Sequence, residues 1–232
     1  TGIVVYLQVA LAFGRKIMQQ GGGIFLEHKV LEIRQKDSIN YIETSKGTFQ
    51  AKLVVNCAGL YSDKVAQMND TSIDDVKIIP FRGEYFKLKA EREHLVKNLI
   101  YPVPDPNFPF LGVHFTRMIK GGIEAGPNAV LAFKREGYTK TQVNLAELAE
   151  TLAWPGFRKV AGKYWKTGLG ELYRSFSKAA FTKGLQELIP EIQESDLVEG
   201  GAGVRAQACD RTGGLLDDFA IRESEFSINV LN

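Results

Sequence analysis

The chain has 232 residues, of which 44% are hydrophobic and 24% charged, so it has ordinary globular composition and enough length to bury a substantial core. Its 29 basic and 27 acidic residues give a formal charge of +2 and are well mixed, which argues against a polyanion-binding protein. No apolar run approaches the roughly 20 residues that span a bilayer, and two distant cysteines and three scattered histidines form no metal-ligand spacing.

Tyr6, Val9, Ala10, Phe13 and Ile17 repeat at helical intervals, which predicts an amphipathic helix over 4–20 closed by Gly21-Gly22-Gly23. A strand-rich stretch follows. Short strands are expected at Ile24–Leu26 and Lys29–Lys36, and a hairpin pairs Asn40–Thr44 with Thr48–Leu53 across Ser45-Lys46-Gly47. Leu53-Val54-Val55 reads as a strand covered on both faces, running through Asn56-Cys57-Ala58-Gly59 into a helix with Ser62 or Asp63 near its N-cap. Beyond Asp75, strand candidates at 77–89, 98–103, 110–116, 119–125 and 128–133 succeed one another without helices, the pattern of an antiparallel sheet. Residues 141–154 and 168–188 have helical period, with Leu145, Leu148 and Leu152 on one face of the first. Asp196–Ala208 and Leu215–Leu231 return to strand and loop. The fold class is therefore α+β: an antiparallel sheet domain with flanking helices, plus part of an α/β domain. Without an initiator Met, and ending in a strand at Ile228–Asn232, the sequence reads as an internal piece of a longer protein.

Small residues at the end of a buried strand, as in Val54-Val55-Asn56-Cys57-Ala58-Gly59, let a ligand approach the backbone, although Ala58-Gly59 also suits a plain tight turn. His114 stands on a strand between Val113 and Phe115 and points opposite to them; its ordinary pKa of about 6.5 suits a general base. A histidine holding a structural hydrogen bond is the competing reading. Arg205, among the small residues of Gly203-Val204-Arg205-Ala206, suits a carboxylate clamp, against a domain-tying ion pair. Arg82 is a weaker alternative clamp, and Tyr85 and Tyr101 are candidate hydrogen-bond partners of a substrate or plain core tyrosines. Arg158, Lys159, Lys163 and Lys166, interleaved with Tyr164 and Trp165, read as a solvated helix face, with contact to an acidic membrane as the alternative. Glu147 and Glu150 read as exposed helix charges, and the two cysteines as reduced, buried thiols of a cytoplasmic protein, peripheral to the inner membrane if that alternative holds.

A helix, a three-stranded meander, and a hydrophobic strand ending in Ala58-Gly59 resemble the second nucleotide-contacting part of the D-amino-acid-oxidase superfamily of FAD-dependent oxidoreductases. Val54-Val55-Asn56-Cys57-Ala58-Gly59-Leu60-Tyr61-Ser62-Asp63 is similar to the branch acting on L-2-hydroxyglutarate, as is Thr1-Gly2-Ile3-Val4. Ile79-Pro80-Phe81-Arg82-Gly83-Glu84-Tyr85, Tyr101-Pro102-Val103-Pro104, the run from Pro109 to Thr116, Gly126-Pro127-Asn128-Ala129 and Gly203-Val204-Arg205-Ala206-Gln207 follow in the branch's order, and Asp217-Asp218-Phe219 continues it. The resemblance covers essentially the whole chain.

What the resemblance implies is an FAD enzyme. Val30, Asn56, Ala58, Gly59 and Arg205 would contact the cofactor, His114 and Arg205 would be catalytic, and Arg82, Tyr85, Tyr101 and His114 would bind a 2-hydroxy acid, with no metal. The implied domains are a partial FAD-binding part over 1–76, a substrate-binding sheet with a helical insert over 77–202, and return strands over 203–232. Electrons would pass to oxygen or a membrane quinone. A glycerol-3-phosphate or amino-acid oxidase of the same superfamily, and a cofactor-free α+β ligand-binding domain, are the alternatives. The superfamily's Gly-x-Gly-x-x-Gly loop does not occur; Gly21-Gly22-Gly23 follows a helix instead of a strand, so the isolated chain is expected to bind FAD weakly and to be inactive.

Overall fold

A computed structural model describes residues 3–69, 73–104, 110 and 112–232. The opening Thr1-Gly2, and Pro109 and Leu111 ahead of His114, lie outside the described residues.

Helix α1 (Tyr6–Gln19) ends as its glycines require: Gly21 adopts φ +81° and the Gly22 N–H turns back onto the Ile17 carbonyl. Its apolar face is uncovered among the described residues, with Tyr6 and Phe13 exposed. Ile24–Leu26 is turn and coil, not strand. Three strands, β1 (Val30–Lys36), β2 (Ile39–Thr44) and β3 (Gly47–Ala51), then form an antiparallel meander. Asp37 and Ser38 join β1 to β2 with both φ values positive, the twist that suits a two-residue hairpin.

Strand β4 (Val54–Asn56) runs parallel to β11 (Ser227–Leu231), which pairs antiparallel with β10 (Ala220–Glu223). The expectation that β4 is covered on both faces fails. Asn56 turns inward and is buried, whereas Leu53 and Val55 remain exposed, because only one face of this three-stranded sheet is packed among the described residues. Helix α2 (Ser62–Asn69) packs on that face, where Ala66, Val76, Ile78, Ala208 and Leu231 form one core cluster.

The long ribbon of β5 (Val76–Leu88) and β9 (Leu197–Asp210) organises the rest. It pairs from Val76 opposite Asp210 to Leu88 opposite Leu197, with a bulge between Glu84 and Phe86. Its first turns belong to the cluster around α2, and its far end belongs to the sheet domain, so no linker separates the two halves. Short strands β6 (His114–Arg117), β7 (Ile123–Gly126) and β8 (Val130–Leu131) complete the sheet in the order β6-β7-β5-β8, with β9 also on β5. The strand expected at 98–103 reduces to one bridge, Ile100 opposite Phe115. Proline at 102 and 104 removes the N–H donors a longer ladder needs.

Three helices follow β8. Asn144 caps α3 (Leu145–Ala153), accepting from the Ala146 and Glu147 N–H groups. Pro155 opens α4 (Pro155–Phe176), which kinks at Tyr164, and Ser177 caps α5 (Lys178–Gln186). The helix expected at 168–188 is thus the end of one helix and all of the next. Leu145 and Leu152 are exposed; the buried side chain of α3 is Thr151. Helix α5 seals a core of Leu88, Val96, Phe115, Ile123, Phe181 and Leu185, and the start of α4 lays Phe157 and Val160 on Ile79. Cys209 is buried and its thiol is pushed up to about 11, but Cys57 is exposed, contrary to expectation, because it lies in the open turn after β4.

Candidate active site

Phe115 is fully buried in the core under α5, so the pleat of β6 turns the preceding His114 to the opposite face. The Ile100–Phe115 bridge brings Tyr101 alongside, and its ring stacks on the imidazole at a centroid distance of 4.1 Å and 21°. His114 Nδ1 lies 3.0 Å from the Gly112 carbonyl. A carbonyl only accepts, so Nδ1 carries the hydrogen and the neutral ring keeps its lone pair on Nε2. Burial holds the imidazole below its ordinary pKa, and the positive charge of Arg205 adds to the depression; the Gly112 hydrogen bond partly opposes both. The structural hydrogen bond therefore does not exclude a base. It leaves Nε2 as the accepting nitrogen.

Arg205 stands on β9 opposite Phe81 of β5, with its guanidinium 5.2 Å from the centre of the Phe110 ring, itself 4.8 Å from Phe81. It has no ion pair with a carboxylate among the described residues, which removes the domain-tying reading. Arg205, Tyr85, Phe110, Phe81, Gly83 and Asn128 line a cavity of about 220 Å³. Burial and the nearby Glu124 push the Tyr85 phenol above its ordinary pKa, with Arg205 opposing, so it stays a neutral hydrogen-bonding group.

Arg82 also lines this cavity, but its charge is spent. Its side chain is 4% exposed; Nε donates to Glu84 Oε1 at 3.0 Å and Nη1 to the Thr139 carbonyl at 3.1 Å. Asn128 donates to the same carboxylate at 3.1 Å and accepts the Glu84 N–H at 2.8 Å. Arg82 therefore braces the wall, and the structure does not support it as a clamp.

The proposed cofactor residues divide in the same way. Asn56 is buried and committed: it donates to the Ser62 carbonyl at 2.8 Å and to Asn229 Oδ1, and accepts the Ala58 N–H. It shapes the turn after β4 from beneath. Ala58 and Gly59 are exposed above it, with Gly59 at φ +54° and nothing within 4 Å of the place a Cβ would occupy. Val30 is half-buried at the start of β1. On β9, Gly201 and Gly203 are likewise open, with nothing within 4 Å of a built Cβ. Exposed backbone at the turn and the open glycines Gly201 and Gly203 near Arg205 leave room for the close approach of a dinucleotide cofactor.

Sequence reasoning missed one constellation. Asp63 is no helix cap: its carboxylate takes a two-pronged ion pair from Arg135, Nη1 to Oδ1 at 2.6 Å and Nη2 to Oδ2 at 2.8 Å, both side chains almost wholly buried. Nor are Glu147 and Glu150 idle surface charges. Glu147 accepts the Arg135 N–H at 2.7 Å, and Glu150 pairs with Lys64 at 2.6 Å.

The family model for FAD-dependent oxidoreductases, DAO, matches residues 1–230, and the chain belongs to that family. It is 72% identical to the L-2-hydroxyglutarate dehydrogenase of Indibacter alkaliphilus over 232 residues, all of this chain and 58% of that protein. To the mitochondrial L-2-hydroxyglutarate dehydrogenase of Mus musculus it is 46% identical over 231 residues, 94% of this chain and 50% of that protein. The chain thus spans little more than half the length of the curated relatives it matches. Among solved structures, the FAD-bound L-alpha-glycerophosphate oxidase of Mycoplasma pneumoniae superposes with a TM-score of 0.63 at 19% identity, over 92% of this chain and 47% of that one. L-proline dehydrogenase from P. horikoshii gives 0.57 at 14% identity, over 97% and 49%. These two likenesses bear on the fold alone.

Proposed function

We propose that the full-length protein containing this chain oxidises L-2-hydroxyglutarate to 2-oxoglutarate. The observation that carries the reading is that Arg205, without an ion pair among the described residues, lines the cavity, while His114, its Nδ1 taken by the Gly112 carbonyl, lies close enough to feel the Arg205 charge. The identity to L-2-hydroxyglutarate dehydrogenases supports the choice of substrate. Bound FAD supplies the two-electron acceptor for the hydrogen on C2. The chain does the rest. Arg205 binds the C1 carboxylate with its planar fork and orients C2. His114 Nε2 accepts the hydroxyl proton, and its lowered pKa keeps it neutral for that purpose near pH 7. Tyr101 holds the imidazole plane, and Tyr85 offers a hydroxyl to the substrate. Ala58, Gly59 and the backbone of Val30 are the residues of this chain that would hold the dinucleotide, with Asn56 acting through the turn it braces.

The test is anaerobic mixing of the full-length flavoprotein with a panel of 2-hydroxy acids, glycerol 3-phosphate and amino acids. Flavin bleaching by L-2-hydroxyglutarate well ahead of the others supports the reading; preferential bleaching by glycerol 3-phosphate or an amino acid refutes it.

The electron acceptor is proposed as oxygen or a membrane quinone, and one surface favours contact with an anionic bilayer. Trp165, Leu169, Tyr173 and Phe176 form an exposed stripe at helical spacing along α4, flanked by Lys163 and Lys166. No helix among the described residues is long and apolar enough to cross a membrane, so the contact would be peripheral. Co-sedimentation with phosphatidylglycerol vesicles should be lost on Lys163→Glu with Lys166→Glu; equal binding by both proteins would refute the contact.

A further inference from the structure

The turn that carries Gly59 is gripped from the other half of the chain. Gly59–Tyr61 is a single 3-10 turn, too short to hold its own orientation by internal hydrogen bonds. The Leu60 carbonyl accepts a hydrogen bond from Arg135 Nη1, and the same guanidinium is fixed by both oxygens of Asp63. Asp63 Oδ2 also takes the Ile78 N–H of β5 at 3.2 Å, so the carboxylate is itself anchored to the sheet. Arg135 lies beyond β8, and its own N–H is held by Glu147 in the first turn of α3. Next to it, Glu136 accepts from the Tyr61 hydroxyl at 3.4 Å. The grip therefore runs from α3 through Arg135 to the backbone of the turn, across 75 residues of sequence.

We propose that Arg135 is a positioning residue for the cofactor: it sets the Gly59–Tyr61 turn in the orientation in which its exposed backbone meets FAD, and so couples cofactor affinity to the placement of α3. This rests on the proposed FAD contact at Gly59. A bidentate arginine suits the task, because its rigid fork fixes an angle as well as a charge. Lysine would keep the charge and lose the angle. An ion pair that served stability alone would need only Asp63; the added bond to the Leu60 carbonyl ties the guanidinium to the turn itself.

The test uses apoprotein of the full-length chain titrated with FAD, following flavin fluorescence, for wild type, Arg135→Lys, Asp63→Asn and Glu147→Gln. Arg135→Lys should raise the FAD Kd on the order of tenfold, and Glu147→Gln, which loosens only the support of Arg135, by less. At saturating FAD, substrate KM should return to the wild-type value. Thermal unfolding of each apoprotein separates the two roles. Variants that melt early but bind FAD with wild-type Kd would overturn the proposal, since that outcome describes a purely structural ion pair. Wild-type apoprotein that takes up no FAD would instead refute the function on which the proposal rests. If Arg135→Lys does not fold, Glu147→Gln decides, because it leaves the buried pair intact.

Discussion

At His114 the decisive atom is the one without a partner among the described residues. Because Nδ1 is engaged by Gly112, the proton acceptor is Nε2, and burial keeps it deprotonated at neutral pH. The base must be neutral to work, so kcat/KM should fall only as pH drops through a value below the usual His pKa of about 6.5, and be flat above it. His114→Gln should remove that acidic limb and reduce kcat by roughly 10²–10⁴-fold. A limb that persists in the variant would assign the titration to another group. For Arg205, Lys and Ala replacements separate charge from geometry. Both should raise KM for the hydroxy acid, Ala more than Lys, with melting temperatures little changed, since Arg205 has no ion pair among the described residues and Ala removes only its contact with the Phe110 ring. His114 and Arg205 were proposed from the sequence because each stands out from its strand: a titratable ring beside a core Phe, and a cation among small residues. Arg82, the weaker candidate clamp, pairs with Glu84 two residues on, a contact that nothing in a linear sequence reveals.

Among the elements, the β5–β9 ribbon and its bulge at Tyr85 set the cavity, and Gly126 shows how little room the arrangement leaves. Gly126 has φ +138°, and a Cβ there would stand 2.7 Å from the Glu84 carbonyl oxygen, within the strand that holds Arg82. Gly126→Ala should therefore cost about 1–3 kcal/mol, read as a shift in the urea midpoint with unchanged slope. Breaking the Asp63–Arg135 pair should cost more. Asp63→Ala leaves a buried guanidinium without its counter-charge, and about 3–5 kcal/mol of stability should be lost in the same measurement. If Asp63→Ala cost less than about 1 kcal/mol, the pair would not be the tie it is taken to be. Most of the strand and helix order and the hairpin across Ser45-Lys46-Gly47 followed from local chemistry and were readable, whereas Asn144 as the cap of α3 was not foreseen. Partners separated by 72 residues were not, because no period or cap marks Asp63 as anything but a helix-start residue. The α4 kink at Tyr164 has no proline to mark it, although Gly162 lies two residues before it.

For the molecule as a whole, three apolar surfaces stand out: the α1 face, the exposed Leu53 and Val55 at β4 (Leu53 just before it), and the stripe on α4. The first two belong to the half expected to take the cofactor, and the chain covers only 58% of its relative from Indibacter alkaliphilus. The 232-residue chain alone is accordingly predicted to bind FAD far more weakly than the full-length protein; stoichiometric flavin absorbance in the purified chain would contradict this. The family was readable because its short motifs recur in order along the whole sequence, whereas the uncovered faces were not, since periodicity reports an apolar side without saying what lies on it. The central claim is that His114 and Arg205 form one hydroxy-acid oxidation site. It is tested most directly by anaerobic stopped-flow reduction of the full-length flavoprotein with L-2-hydroxyglutarate, comparing wild type with His114→Gln and Arg205→Ala at equal FAD occupancy. The account predicts rapid bleaching in the wild type, slow bleaching at saturating substrate in His114→Gln, and a much higher substrate requirement in Arg205→Ala. Wild-type reduction rates and substrate dependence in both variants would contradict it.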